Sequence, residues 1–336
     1  MRLSRIRYDR EMCYYHLMNR VAGEPGYFPF GDVEKEKLFR LAVDLLRFYS
    51  LDLLSVVVMG NHYRIVCAAP AEAPSPERVA ANWRAFHGKR PVEPNWDDAD
   101  TVAHLAARMR DISCYIKDLQ QRFTCWFNRT RPKRRRGGLW ADRFKNTILD
   151  KDTALWDCLT YVEMNPVRAR LAKSPGDYRF CTWGRMVGGG THPFAVNLVR
   201  HLRCFVAGAS ALRNPQEEPE RGRSGYARER WSHRRVIAEL AANMARIAAG
   251  ERGEDSETIF AEEEAARTSR DRFTVTARRR VRYWTDGLVI GSEFFVREVA
   301  AQLFDAKRAL KKRLARGTLP NSPDALFAYR RLDPTL

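Results

Sequence analysis

Apolar positions recur along this chain in two periods, and the switching between them outlines an α+β fold. Residues 11–18 (EMCYYHLM) have the aromatic density of a β-strand. Leu38, Leu41, Ala42 and Leu45 then recur at one-face helical spacing, with Asp32 placed to cap that helix. LLSVVVM (53–59) reads as a buried strand, Gly60-Asn61 as a tight turn, and HYRIVCAA (62–69) as the returning strand. A Pro-broken stretch over 70–100 leaves room for a short helix around 77–87, and a longer helical pattern runs from about 102 to 128. RTRPKRRRGG (129–138) is a basic loop, LWADRFKNTILD (139–150) enters another strand, and 152–164 is a helix ended by Asn165-Pro166. The order predicts an antiparallel hairpin at the centre of the fold.

A polar, Pro/Gly-rich segment at 209–225 reads as a linker between a domain over 1–208 and a helical accessory domain over 226–336. The second part carries an acidic patch (Glu251–Glu264) and a basic cluster (Arg278–Arg282). Turns at Asp286-Gly287 and Gly291-Ser292, followed by an amphipathic helix, could build a helix-turn-helix DNA reader; a plain helical extension fits equally.

Length and charge narrow the partners. At 336 residues the chain is long enough for two domains and a core of its own. Lys and Arg number 59 against 41 acidic residues, a net charge of +18 that attracts polyanions, nucleic acid foremost. No run of about 18 apolar residues exists to span a membrane, and MRLSRIRYDREM lacks the apolar segment of an export signal. The expected location is cytoplasmic, nucleoid-associated when bound to DNA. Seven cysteines without a C-x-x-C pair read as buried thiols.

Candidate chemistry concentrates in GNHYRIV (60–66) and YVEMNPVRA (161–169). On a strand, His62 and Arg64 share one face while Tyr63 and Ile65 share the other. On the 152–164 helix, Leu155, Cys158, Leu159 and Val162 form the apolar stripe, Tyr161 lies beside it, and Asn165 follows one turn later. A histidine at a hairpin mouth and a Tyr–Asn pair could converge on one phosphate. Taken singly, each has a plainer reading: His62 as a hydrogen-bonded structural residue, Tyr161 as a packing aromatic with a wet hydroxyl, Asn165 as a helix stop. The basic loop puts six cations into positions 129–136, which suits a DNA-backbone clamp driven by counterion release, or a merely solvated charge run. Trp126, Phe127, Trp140 and Phe144 flank it, and an exposed one could stack on an unpaired base.

The hydrophobic strand, tight turn and Asn-His, then GGLWADRFK at 137–145 and Y-x-x-x-NPVRA at 161–169, together resemble the HUH single-tyrosine transposases. The nearest branch is the REP-associated tyrosine transposases, and the resemblance covers about residues 8–185. It implies a ferredoxin-like antiparallel domain that nicks and rejoins single-stranded DNA at hairpin sites through a 5′-phosphotyrosine, aided by Mg²⁺ or Mn²⁺. Tyr161 matches the nucleophile, His62 the first metal histidine and Asn165 the helix ligand. The second metal histidine is replaced by Arg64, whose guanidinium has no lone pair to offer. Three readings follow: His62 and Asn165 hold the metal together with water and phosphate oxygens, or Arg64 itself neutralises the phosphate, or the chain binds hairpins with weak or absent cleavage. DNA contacts are expected from Arg64, Arg131, Lys133, Arg134, Arg135, Arg136, Arg143, Lys145 and Arg168. RNA hairpins, which present similar phosphates, are a further candidate partner.

Overall fold

The computed structural model describes residues 12–24, 26–88, 93–151, 153–202, 234–245, 284, 287–303, 314–316 and 326–330. The expected linker at 209–225, the Glu251–Glu264 patch and the Arg278–Arg282 cluster lie outside the described residues. By contact density the chain falls into two compact units, Met1–Asn146 and Thr147–Leu336.

The first unit runs β1 (Met12–Arg20), α1 (Asp32–Asp44), β2 (Asp52–Val58), β3 (His62–Pro70), α2 (Pro76–His87), α3 (Ala99–Met109) and α4 (Ile112–Arg129). β3 is the middle strand, antiparallel to β1 on one side and to β2 on the other. Its long run of buried residues follows from being flanked on both edges and covered on its faces: Tyr63, Val66 and Cys67 are wholly buried. Ile65 and Val66 each contribute about 1.5–3 kcal/mol by leaving water. α4 supplies much of the cover. Its Gln120 donates to Tyr63 Oη at 2.8 Å, and its Tyr115 Oη donates to the Ala42 carbonyl of α1 at 2.8 Å.

Two helix boundaries differ from the expectation. Gly31, not Asp32, is the N-cap of α1, and the Glu34 carboxylate accepts the Gly31 N–H at 2.9 Å. The helical pattern expected over 102–128 is two helices, because Asp111 accepts the N–H groups of Ser113 and Cys114 at 2.6 and 3.3 Å and so starts α4 afresh. The cysteine reading also needs amending: Cys13, Cys67, Cys158 and Cys181 are buried, whereas Cys125 is exposed on α4.

β4 (Lys145–Leu149) carries the chain into the second unit, which continues with α5 (Thr153–Glu163), α6 (Asn165–Arg168) and α7 (Thr182–Gly189). Helical stretches at 195–202 and 234–245 follow. Then come β5 (Gly287–Gly291), a helix over Glu293–Leu303, β6 (Ala315–Arg316) and β7 (Phe327–Arg330). Ile148 and Leu149 of β4 lie parallel to Val289 and Ile290 of β5, which is antiparallel to β7.

The C-terminal part is therefore not purely helical. GLVIG, read as two turns of a helix-turn-helix, is instead a fully buried strand. Asp150 Oδ2 accepts from Ser292 N and Oγ at 3.1 and 2.8 Å, and Ser292 Oγ in turn receives the Phe295 N–H at 3.3 Å. A strand thus feeds directly into a helix, without the helix–turn–helix geometry. Asn165-Pro166 likewise does not stop the helical path; it begins the short α6, where the missing N–H of Pro166 costs nothing in the first turn.

Candidate nucleic-acid interface

In the first unit, three loops meet at one end of the sheet. Met59 N–H donates to the His62 carbonyl at 2.8 Å and closes the Gly60-Asn61 turn between β2 and β3. Val21 N–H donates to Asn61 O at 2.8 Å and Phe30 N–H to Gly60 O at 2.9 Å, tying the segment after β1 to that turn. Ala22 N–H to Leu139 O and Ala141 N–H to Arg20 O, both 2.9 Å, bring in the residues that follow the basic loop. Asn19 Nδ2 adds a bond to Asp142 O at 3.0 Å.

His62 stands at this mouth, half-buried, with Nδ1 2.9 Å from Asn61 Oδ1. The tautomer that donates from Nδ1 puts the imidazole lone pair on Nε2. Directly across the β1–β3 ladder from His62 is Arg20, an exposed cation that sequence reasoning missed. The expectation that residues 62 and 64 share a face brings little, since Arg64 is buried and directs Nη1 to Met18 Sδ at 3.6 Å.

The basic loop divides into cations that build it and cations that face water. Arg131 pairs with Glu34 and lies 4.3 Å over the Phe127 ring. Arg135 donates to Gly138 O at 2.9 Å and to Asn128 Oδ1 at 3.3 Å, folding the loop on itself. Lys133, Arg134, Arg136, Arg143 and Lys145 are exposed. Of the flanking aromatics, Phe127 and Phe144 are core, and Trp140 is anchored by Nε1 to Thr124 Oγ1 at 3.0 Å and by edge contacts with Tyr63 and Phe30. Among the described residues of the first unit, the exposed rings lie elsewhere: Tyr27 and Phe28, at 45% and 66% exposure. The signal for them was in the sequence, two adjacent aromatics set among the turn-forming residues of EPGYFPFGD.

In the second unit, α5 is buried from Ala154 to Glu163, so the one-sided stripe expected of it is wrong. Two of its polar groups find partners within the unit: Glu163 Oε2 accepts the Trp183 N–H at 3.1 Å, and Thr160 Oγ1 accepts from Asn243 Nδ2 at 3.0 Å. Tyr161 is buried at 3% exposure and not half-wet. Its ring stacks on Trp284 with centroids 5.5 Å apart and planes 28° from parallel, and the Arg168 guanidinium lies 4.0 Å from its centroid. Arg168 also donates to the Tyr161 carbonyl. Asn165 Nδ2 donates to the carbonyls of Tyr161 and Val162, both at 3.2 Å, so Oδ1 is its one atom suited to a cation.

No protein-family profile and no curated protein matches this chain. A solved structure does resemble it. That structure is a REP-associated tyrosine transposase bound to a REP hairpin, at 15% identity and a TM-score of 0.38, covering 58% of this chain and 90% of that one.

Taken one by one, the positions matched to metal ligands offer an imidazole at His62 in the first unit and an amide oxygen at Asn165 in the second, while the Arg64 guanidinium has no lone pair to offer. Among the described residues no three His, Cys, Asp or Glu side chains cluster.

Proposed function

We propose that this chain is a transposase-like protein that binds single-stranded or hairpin DNA through the basic end of its first unit. The nicking and rejoining of that DNA through Tyr161 is its chemistry. The observation that carries the reading is the gathering of His62, Arg20 and the exposed Lys133, Arg134 and Arg136 around loops sewn to one sheet end. Cations on a fixed rim attract a phosphate backbone by releasing its counterions. The strand order β2-β3-β1, with α1 between β1 and β2 and helices following β3, supports a ferredoxin-like first unit.

In the chemical step the Tyr161 hydroxyl oxygen attacks phosphorus and its proton passes to water or a nearby base. The new P–O bond forms as the bond from phosphorus to the 3′ oxygen breaks. That oxygen takes up a proton as a 3′-hydroxyl, and a 5′-phosphotyrosine remains. Attack of a 3′-hydroxyl on the phosphotyrosine reverses the step and rejoins the strand. No part of this is routed through a metal. A second reading, hairpin binding without cleavage, is favoured by the burial of Tyr161 under Trp284 and of Arg64 against Met18.

Labelled hairpin-flanked single strands, incubated with the protein and run on a denaturing gel, separate the two. Expected for the enzyme is a covalent band lost in Tyr161→Phe. Tight binding with no covalent band in the presence of Mn²⁺ or Mg²⁺ leaves the binding protein. The same hairpin in RNA tests the choice of sugar.

A further inference from the structure

Resting on the nucleic-acid reading of the same surface, we infer that Tyr27 and Phe28 form a stacking platform for the unpaired bases of a single strand. The phosphates of that strand lie along Lys133, Arg134 and Arg136. Single exposed apolar side chains are ordinary on any protein. Two adjacent aromatics on a loop pinned at both ends are a different matter.

Phe28 rests on the β2–β3 turn, since a Cβ on Gly60 would come within 3.1 Å of its Cδ1 and 3.2 Å of its own Cβ. Tyr27 rests on Gly23 in the same way: at φ +155° that residue leaves room for the ring, whose Cδ1 would lie 2.5 Å from an added Cβ. Asn61 Nδ2 donates to the Tyr27 carbonyl at 3.2 Å, fixing the backbone beneath the rings. Both rings are thus backed by glycine backbone and open to water over much of their area.

The basic loop is tied to the same place. Arg131, at its start, pairs with Glu34, and the other oxygen of that carboxylate holds the Gly31 N–H, three residues after Phe28. Cations beside open aromatic faces are what a single-stranded polynucleotide needs, because its phosphates and its base faces are both available. A duplex offers the phosphates and hides the faces. The platform therefore selects unpaired nucleotides next to a hairpin.

The test is fluorescence anisotropy with a labelled oligothymidine of about 10 nucleotides and an abasic strand of equal length. Wild type should bind the thymidine strand at least about 10-fold more tightly than the abasic one. Tyr27→Ala with Phe28→Ala should weaken thymidine binding by about 10-fold or more per lost stack, with abasic affinity unchanged. Phe28→Trp should hold or tighten thymidine binding. Both positions are exposed, and circular dichroism checks that the variants fold. The inference is overturned if the double variant binds thymidine like wild type, or loses affinity equally on both strands. It is also overturned if the rings instead govern self-association in sedimentation. If wild type binds neither strand, the nucleic-acid reading falls with it; binding that ignores the rings removes the platform alone.

Discussion

Replacing Lys133, Arg134 and Arg136 together by alanine isolates the cations of the basic loop that can meet phosphate. Arg131 and Arg135 are already engaged, one with Glu34 and the other with Gly138 O and Asn128 Oδ1. Each cation that displaces a counterion from a single strand contributes about 0.7 to the slope of log K against log salt. Three of them amount to a slope change of about 2. Between 50 and 200 mM salt, wild type should then lose about 20-fold more affinity than the triple variant. Anisotropy of a labelled single strand across that salt range reads the difference directly. Arg131→Ala is the control: breaking its part-buried ion pair should cost about 2 kcal/mol of stability and leave the slope alone. An unchanged slope in the triple variant, or an equal flattening in Arg131→Ala, would refute the division of the loop into building and binding cations.

Tyr161→Phe removes only an oxygen and keeps the ring against Trp284, so hairpin affinity should stay within about twofold while covalent capture disappears. Capture that persists assigns the chemistry to other residues. Arg64→His should make any cleavage depend on Mn²⁺, read as a chelator-sensitive band absent from wild type; cleavage indifferent to chelator would show that position 64 does not border the site. Gly184→Ala should be severe, because its Cβ would lie 2.0 Å from the Tyr178 carbonyl oxygen. A loss of about 3 kcal/mol or more, seen as an unfolding midpoint lower by roughly 6–12 °C, is expected.

The strands of the first unit were legible because their signals are local. The β2–β3 hairpin needs only Val/Leu-rich runs and Gly60-Asn61, and the structure places β2, β3 and α2 within a residue or two of their expected bounds. The break between α3 and α4 turns on one carboxylate, Asp111, inside an otherwise continuous apolar pattern, and periodicity does not weigh single caps. β5 was misread because its ladder partners, β4 and β7, are far away in sequence, while its end glycines look like turns. The candidate site was legible as residue types and not as environments. A run of arginines does not reveal that Arg131 has Glu34 waiting 97 positions upstream. Nor does the Tyr161 helix reveal the indole of Trp284 that buries its ring.

The parallel pairing of Ile148 with Val289 also sets an order in time. About 140 residues of chain separate the partners, so on a ribosome adding 5–20 residues per second β5 emerges about 7–28 s after β4. Trp284 arrives in the same late stretch, whereas β1, β2 and β3, all within residues 12–70, pair with one another. A nascent chain thus holds its polyanion-attracting surface ready while Tyr161 still lacks its covering indole. For that interval the protein can meet a nucleic acid before its tyrosine is shut away.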